Sequence, residues 1–251
     1  MSPVDPHTLI SSTYLASRAQ LYNPDRAPPP APHGTPSPHR TSDTIQLAVT
    51  DAAGNGCSLV NSVADTFGSR ITPSGTGFVL HSRGSGFHLE PSHPNAYAPG
   101  KRPYNTIIPA IVTRAGSEGE VGDLHTVFGV MGGAMQPQGH VQVLLNMVMF
   151  GMNPQVALDA PRICIGVSLP GKSTDPSKSV DNTVYLEEGI REEVGRELER
   201  MGHEVQFVSG MGRSLFGRGQ VISVHGDPVY DGRVHSAGSD MRGDGMAAPL
   251  I

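Results

Sequence analysis

Asp43-Thr44-Ile45-Gln46-Leu47-Ala48-Val49-Thr50-Asp51 is the stretch on which the reading of this chain turns. Ile45, Leu47 and Val49 alternate with polar or small residues, the period-2 pattern of a half-buried strand. Ala53-Gly54-Asn55-Gly56 follows as a turn, and Cys57-Ser58-Leu59-Val60-Asn61-Ser62-Val63 reads as the returning strand, so residues 44–63 form a hairpin. Ahead of it, residues 27–38 (APPPAPHGTPSP) carry no apolar pattern and predict an extended linker. Order therefore begins at a threonine, with a proline-rich run before it.

Composition sets the bounds. The 251 residues are 37% hydrophobic and 16% charged, enough for one or two domains with a sizeable core. The 31 glycines and 22 prolines favour a loop-rich β or α/β fold over a helical one. A net charge of −5 without a Lys/Arg cluster argues against nucleic acid as a partner. Cys57 and Cys164 sit in apolar strand-like runs and are expected as buried free thiols. No run has the length of a membrane span, and no basic-then-apolar leader opens the chain, so cytosol is the default location. The histidines lack metal-ligand spacing, and no metal or cofactor is expected.

Further elements follow from periodicity. Residues 8–21 suggest a short helix. Strands are expected at 77–81, 106–112, 124–129, 204–208, 220–225 and 233–237. Val141, Leu144, Leu145 and Val148 mark a helix over 138–150 that ends at Gly151. Asn153-Pro154 opens a short one, with Asn as cap. A helix over 188–201 is expected to bury Ile190, Val194, Leu198 and Met201, with Gly202 as its stop. Met147, Met149 and Met152 suit core or subunit packing.

A threonine at a strand start is usually structural. Three features of context favour chemistry. The linker gives an autocatalytic cut room to occur. Ser62 lies on the partner strand, within reach of the Thr44 hydroxyl. Gly132-Gly133 ends a strand and precedes a helix, where backbone N–H groups can face a developing oxyanion; taken alone it is a generic turn. Together they suggest an N-terminal-nucleophile hydrolase, in which a freed threonine α-amine serves as base for its own hydroxyl.

From Thr44 to the C-terminus the chain resembles the small subunit of the γ-glutamyltranspeptidases (glutathione hydrolases). The matching stretches include Asp51-Ala52-Ala53-Gly54-Asn55, Gly75-Thr76-Gly77, Pro99-Gly100-Lys101-Arg102-Pro103, Met131-Gly132-Gly133, Gly151-Met152-Asn153, Ala157-Leu158-Asp159-Ala160-Pro161-Arg162 and Ser239-Asp240-Met241-Arg242-Gly243-Asp244. Arg83-Gly84-Ser85-Gly86-Phe87 is similar to a branch that includes glutathione-hydrolase-like, cephalosporin-acylase-like and oxamate-amidohydrolase proteins. The resemblance implies an α/β fold of the N-terminal-nucleophile type, with stacked β-sheets between helical layers and most of the large subunit lacking. It implies a cut between Asp43 and Thr44. It implies Thr44 as nucleophile, Ser62 as the hydroxyl that orients it, and Gly132 and Gly133 as the oxyanion pair. Asn105 and Thr106 fall where typical members carry two serines that bind the substrate carboxylate.

Departures bear on the substrate. Typical transpeptidases hold the glutamyl amine with an Asn after the second strand and with an acidic pair. Here those places hold Ala64, Ser85 and Gly86. An ammonium buried without a counter-charge is costly. Arg83 offers a cation for a carboxylate-bearing acyl group, or it bonds backbone carbonyls of its own loop. Ala134 stands where the branch usually has Asp. Asp240 and Asp244 are expected to be structural.

Residues 1–26 resemble the last large-subunit helix, 27–43 a linker ending at the cut, and 44–251 the catalytic small subunit. The expectation is a γ-glutamyltranspeptidase-like, Thr-dependent amidohydrolase of small γ-glutamyl or other carboxylate-bearing amides, active with a large-subunit-like chain. The alternative is a truncated, non-catalytic fragment or pseudoenzyme.

Overall fold

The computed structural model describes residues 5–27, 43–117, 120–166, 183–226 and 232–249. Strands β1 (Asp43–Thr50) and β2 (Gly56–Ala64) form the expected antiparallel hairpin, with Thr44 opposite Ser62 and Leu47 opposite Leu59. The turn is locked by the Asp51 carboxylate, which accepts from the Asn55 backbone N–H and side-chain amide, each at 2.8 Å. Those bonds hold the Asp51 carboxyl below the usual carboxylate range, the side-chain amide contributing most. Gly54 supplies the positive φ of 88° that the turn requires.

It is the polar residues of β1 that point inward. Thr44 and Gln46 are each 8% exposed, whereas Ile45 and Leu47 are 62% and 54% exposed. The inward face stacks on β4 (Val121–Met131). Close approach there depends on absent side chains. A Cβ at Gly129 would stand 2.7 Å from the Gln46 Cγ, and one at Gly56 would stand 2.7 Å from a Val127 methyl.

Strands β3 (Ala110–Ala115), β4, β8 (Arg218–Gly226) and β9 (Arg233–Ser239) form an antiparallel sheet in that order. Its far face carries helices α3 (Met135–Val148) and α4 (Pro154–Asp159). The core between them comprises Phe128, Val130, Val143, Ala157, Leu158 and Val221. Burying these side chains contributes about 1.5–3 kcal/mol for each larger one. Helix α4 begins as its sequence predicts, the Asn153 side chain accepting from the Val156 N–H at 3.0 Å. A smaller mixed sheet, β5 (Ile163–Ile165), β6 (Val184–Glu187) and β7 (Val205–Val208), closes a second core of Met135, Cys164, Tyr185, Val208, Leu215 and Phe216. Two sheets are thus stacked, with helices against one of them. The outer face of β1–β2, with Ile45, Leu47, Val49 and Leu59, is exposed.

Several expectations are corrected. Residues 77–81 form no strand; Leu80 instead bonds Ile71 and Ser69 across a turn-rich segment. The strand expected at 106–112 begins only at Ala110. The N-terminal helix is broken into α1 (Pro6–Leu9) and α2 (Ser12–Ala19), because the Ser11 hydroxyl caps the second at the Tyr14 N–H. Helix α5 spans Glu192–Arg200, and of its residues only Gly195 is buried, against the Phe207 ring. Val194 is exposed, and Leu198 is half-buried. Cys164 is buried, but Cys57 is exposed, since odd-numbered residues of β2 share the open face with Leu59. Met147 and Met152 pack against the main core, while Met149 is exposed. Of the linker at 27–43, residues 28–42 lie outside the described residues.

Candidate active site

A β-bulge shapes the site. The register shifts between Asp43 and Thr44, so that Asp43 pairs with Ala64 while Thr44 pairs with Ser62. Ala64 takes a left-handed φ of 76°, rare for a residue with a Cβ. This strained turn aims the Ala64 N–H at the Ser62 hydroxyl, at 3.1 Å. The Thr44 hydroxyl donates to the same oxygen at 3.2 Å. Arg83 supplies a third donor, its Nη2 lying 2.8 Å from Ser62 Oγ. The other guanidinium nitrogen, Nη1, bonds the Thr106 hydroxyl. Thr44, Ser62, Arg83 and Thr106 therefore form one chain of hydrogen bonds.

Each member is held from behind. Arg83 opens a short 3₁₀ turn (Arg83–Gly86), and the preceding Ser82 donates its hydroxyl to Asp65 at 2.6 Å and its N–H to Val63. Burial lowers the pKa of the Arg83 guanidinium, and the neighbouring Asp65 carboxylate opposes that shift. An arginine remains charged under such a perturbation. The Thr106 segment is pinned where Ile108 O meets His140 Nε2 at 2.8 Å and where the Ala110 N–H donates to Ser58 Oγ at 3.2 Å. Arg83 is thus turned to side-chain hydroxyls rather than to carbonyls of its loop. Asn105 is exposed, its side chain accepting from the Ile107 N–H at 3.3 Å, outside the bonded chain.

Stacking contacts set the direction in which the hairpin runs over β4. Gly56 abuts Leu124 and Val127, Ser58 bonds the Phe128 carbonyl, and Gln46 abuts Gly129. Moving back along β1 therefore moves forward along β4. Thr44 is the next inward residue of β1 in that direction, and Gly132 and Gly133 follow the last residue of β4. Gly132 (φ 139°) and Gly133 (φ 62°) adopt conformations that disfavour side chains. The Gly132 carbonyl accepts from the Met135 N–H, in the first turn of α3. In a trans peptide the N–H of Gly133 then points away from that helix.

A small pocket beside these groups is lined by Ala64, Asp65, Arg83, Gly86, Tyr104 and Thr106. Asp65 and Tyr104 were not anticipated from the sequence. Asp65 is signalled there only by its place just after the returning strand and Ala64, and Tyr104 only by its place before Asn105-Thr106. A larger groove between α5 and β7 includes none of the residues above.

Comparison with known proteins shows the family and the fold. The family model described as γ-glutamyltranspeptidase matches residues 2–250. A glutathione hydrolase-like proenzyme of Bacillus subtilis is 33% identical over 209 residues, covering 83% of this chain and 36% of that protein. The oxamate amidohydrolase proenzyme of Klebsiella pneumoniae is 30% identical over 206 residues, covering 82% and 35%. The chain thus spans about a third of the length of these relatives. The crystal structure of a cephalosporin acylase from Bacillus halodurans superposes over 99% of this chain and 40% of that one, with a TM-score of 0.77 and 36% identity. A Helicobacter pylori γ-glutamyltranspeptidase chain, at 23% identity, shares the fold with a TM-score of 0.63 over 79% of this chain and 99% of its own. The fold is that of the N-terminal-nucleophile hydrolases, and the chain belongs to the γ-glutamyltranspeptidase family.

Proposed function

We propose that this chain is a Thr44-dependent amidohydrolase of the glutathione-hydrolase kind, acting on γ-glutamyl or related carboxylate-bearing amides. The observation that carries the reading is the hydrogen-bonded chain Thr44–Ser62–Arg83–Thr106 at the bulged start of β1. Activation begins when Thr44 Oγ adds to the Asp43 carbonyl carbon. The Asp43–Thr44 C–N bond breaks, the nitrogen takes up a proton, and an ester remains. Water hydrolyses the ester, leaving an Asp43 carboxylate and a free Thr44 α-amine. With a pKa near ~8, that amine accepts the Thr44 hydroxyl proton at neutral pH. The oxygen then adds to the substrate carbonyl, whose developing charge faces the Gly132–Gly133 N–H groups. The leaving amine takes the proton, and water releases the acyl group.

Ser62 orients the nucleophile. Arg83 uses two of its five donors within the chain, so further donors can bind a substrate carboxylate, aided by Thr106 and Asn105. Asp65 is engaged by Ser82 and offsets Arg83, so a des-amino acyl group suits the pocket better than one bearing an ammonium. The exposed apolar face of β1–β2 suits a large-subunit-like chain as partner.

Intact-mass measurement of wild-type protein, alone and co-expressed with a large-subunit homologue, tests the reading. Two fragments are expected, the second beginning at Thr44, and Thr44→Ala should give a single mass. An uncut wild-type chain in both preparations would refute it. That outcome would mark a truncated, non-catalytic member of the family.

A further inference from the structure

A cluster of buried charges lies apart from the nucleophile. Arg162 and Arg242 meet Asp240 and Glu187, with all four side chains at most 1% exposed, and Arg213 joins from the edge. Arg162 Nη2 bonds Asp240 Oδ2 at 2.6 Å and the Leu158 carbonyl at 2.9 Å. Its Nη1 lies 3.0 Å from the Phe216 carbonyl and 3.4 Å from that of Gly217. Asp240 Oδ2 also accepts from the Gly219 N–H at 3.0 Å. The segment from Phe216 to Gly219 is therefore gripped on both sides by one ion pair.

That segment is the floor of the glycine turn. A Cβ at Gly132 would stand 2.7 Å from the Gly217 Cα, and one at Gly217 would stand 2.3 Å from the Met131 carbonyl oxygen. Two backbones that leave no room for a Cβ between them cannot shift independently. The Met131 carbonyl is aimed at Gly217, so the N–H of the same peptide, that of Gly132, points to the opposite side. Phe216, fully buried, shares a core with Met135, whose N–H closes the turn onto Gly132.

We infer that Arg162 and Asp240 are positioning residues that act through Gly217 to fix the Gly132–Gly133 N–H groups. The inference rests on the reading of that turn as the oxyanion site. Replacing a buried ion pair with apolar groups often leaves stability unharmed. A role in aiming the turn gives the pair a reason to be charged: only a guanidinium grips two successive carbonyls and a carboxylate at once.

The test compares Arg162→Lys and Asp240→Asn with Arg213→Ala in the full chain. Arg213 bonds Glu187 at 2.8 Å, without touching Gly217 through any hydrogen bond found among the described residues. Backbone ¹⁵N relaxation should show Gly132 and Gly133 rigid in wild type and Arg213→Ala, with order parameters about 0.85. They should be mobile, below about 0.6, in the other two variants. In amide hydrolysis kcat should fall about 10- to 100-fold in those two with KM unchanged. Should Arg162→Lys fail to fold, Asp240→Asn, which keeps the shape, carries the comparison. Equal order parameters at Gly132–Gly133 in Asp240→Asn and Arg213→Ala overturn the inference. A wild-type chain that cleaves no amide counts against the proposed function instead, and the relaxation result still decides this one.

Discussion

Ser62→Ala separates orientation of the nucleophile from stability, because the same strand carries its own control. Ser62 Oγ receives three donors: Thr44 Oγ1 at 3.2 Å, Arg83 Nη2 at 2.8 Å and the Ala64 N–H at 3.1 Å. Ser58, four residues earlier on the same face, has an equally full set. It donates to the Phe128 carbonyl at 3.0 Å and accepts from the Ala110 N–H and the Gln46 amide, each at 3.2 Å. Each neutral bond is worth about 1 kcal/mol net, and one to a charged group about 1.5–3 kcal/mol. Ser62 is only half-buried, so water replaces part of what is lost there. Both alanine variants should therefore lose about 1–3 kcal/mol in urea unfolding. Their chemistry should differ. Loss of about 1.4–2.7 kcal/mol of orientation at Thr44 slows cleavage by about 10- to 100-fold. The assay is the time course of Thr44 fragment release by intact mass, run below the unfolding transition of each variant. Ser62→Ala should be slow, and Ser58→Ala should match wild type. Equal rates for the two, whether both slow or both normal, would refute a directing role for Ser62.

Thr44→Ser should still cut before residue 44, as judged by N-terminal sequencing, since it keeps the hydroxyl. A glutaryl amide should be hydrolysed at least as well as its γ-glutamyl counterpart, and a strong preference for the γ-glutamyl compound in steady-state kinetics would count against Arg83 as the acyl anchor. Leu47→Lys should change thermal stability by less than about 0.5 kcal/mol, because Leu47 is exposed, yet it should abolish co-purification with a large-subunit homologue. The His125 pKa is lowered by burial, then by Arg114 and His225. The unfolded chain therefore binds this proton more readily than the folded one. Stability from His125 is fully present above its ordinary pKa of about 6.5 and is lost as pH falls from there toward the lower folded value. Melting at pH 7.5 and pH 5.0 should show a smaller drop for His125→Gln than for wild type.

The hairpin, the α4 cap, helix α3 and strands β4, β7, β8 and β9 were legible in the sequence, because each is set by local periodicity or a capping residue. The expected strand at 77–81 was not formed, since its backbone groups find turn partners at Ile71 and Ser69 instead. Strands β5 and β6 are short, and a three- or four-residue run is too brief to show a period. In the site, Thr44 and Ser62 could be paired from the hairpin alone. The contact of Arg83 with both Ser62 and Thr106 could not, because it joins residues 21 and 23 positions apart through a loop without periodicity. The role of Gly217 was equally hidden, as its partner Gly132 belongs to another strand end and the contact involves no side chain.

The faces of β1 explain why periodicity located the strand but did not say which side is inside. The proposed nucleophile needs shielding from water and polar neighbours, and the hairpin face bearing Thr44 also bears Gln46 and Ser58, all turned onto β4. Burying hydroxyls there costs little where each finds a partner; the Gln46 amide is only half served, its Nε2 bonding Ser58 and the Leu47 carbonyl while its Oε1 finds no partner among the described residues. Gly129 and Gly56 bring the sheets close enough for Ser58 to reach the Phe128 carbonyl. The apolar half of the same alternation, Ile45, Leu47 and Val49, is consequently carried to the outer side. An ordinary two-sheet core would place those residues inward. Their exposure follows from turning the Thr44 hydroxyl inside, so in the proposed mechanism the buried nucleophile and the open face of β1–β2 are two results of one register.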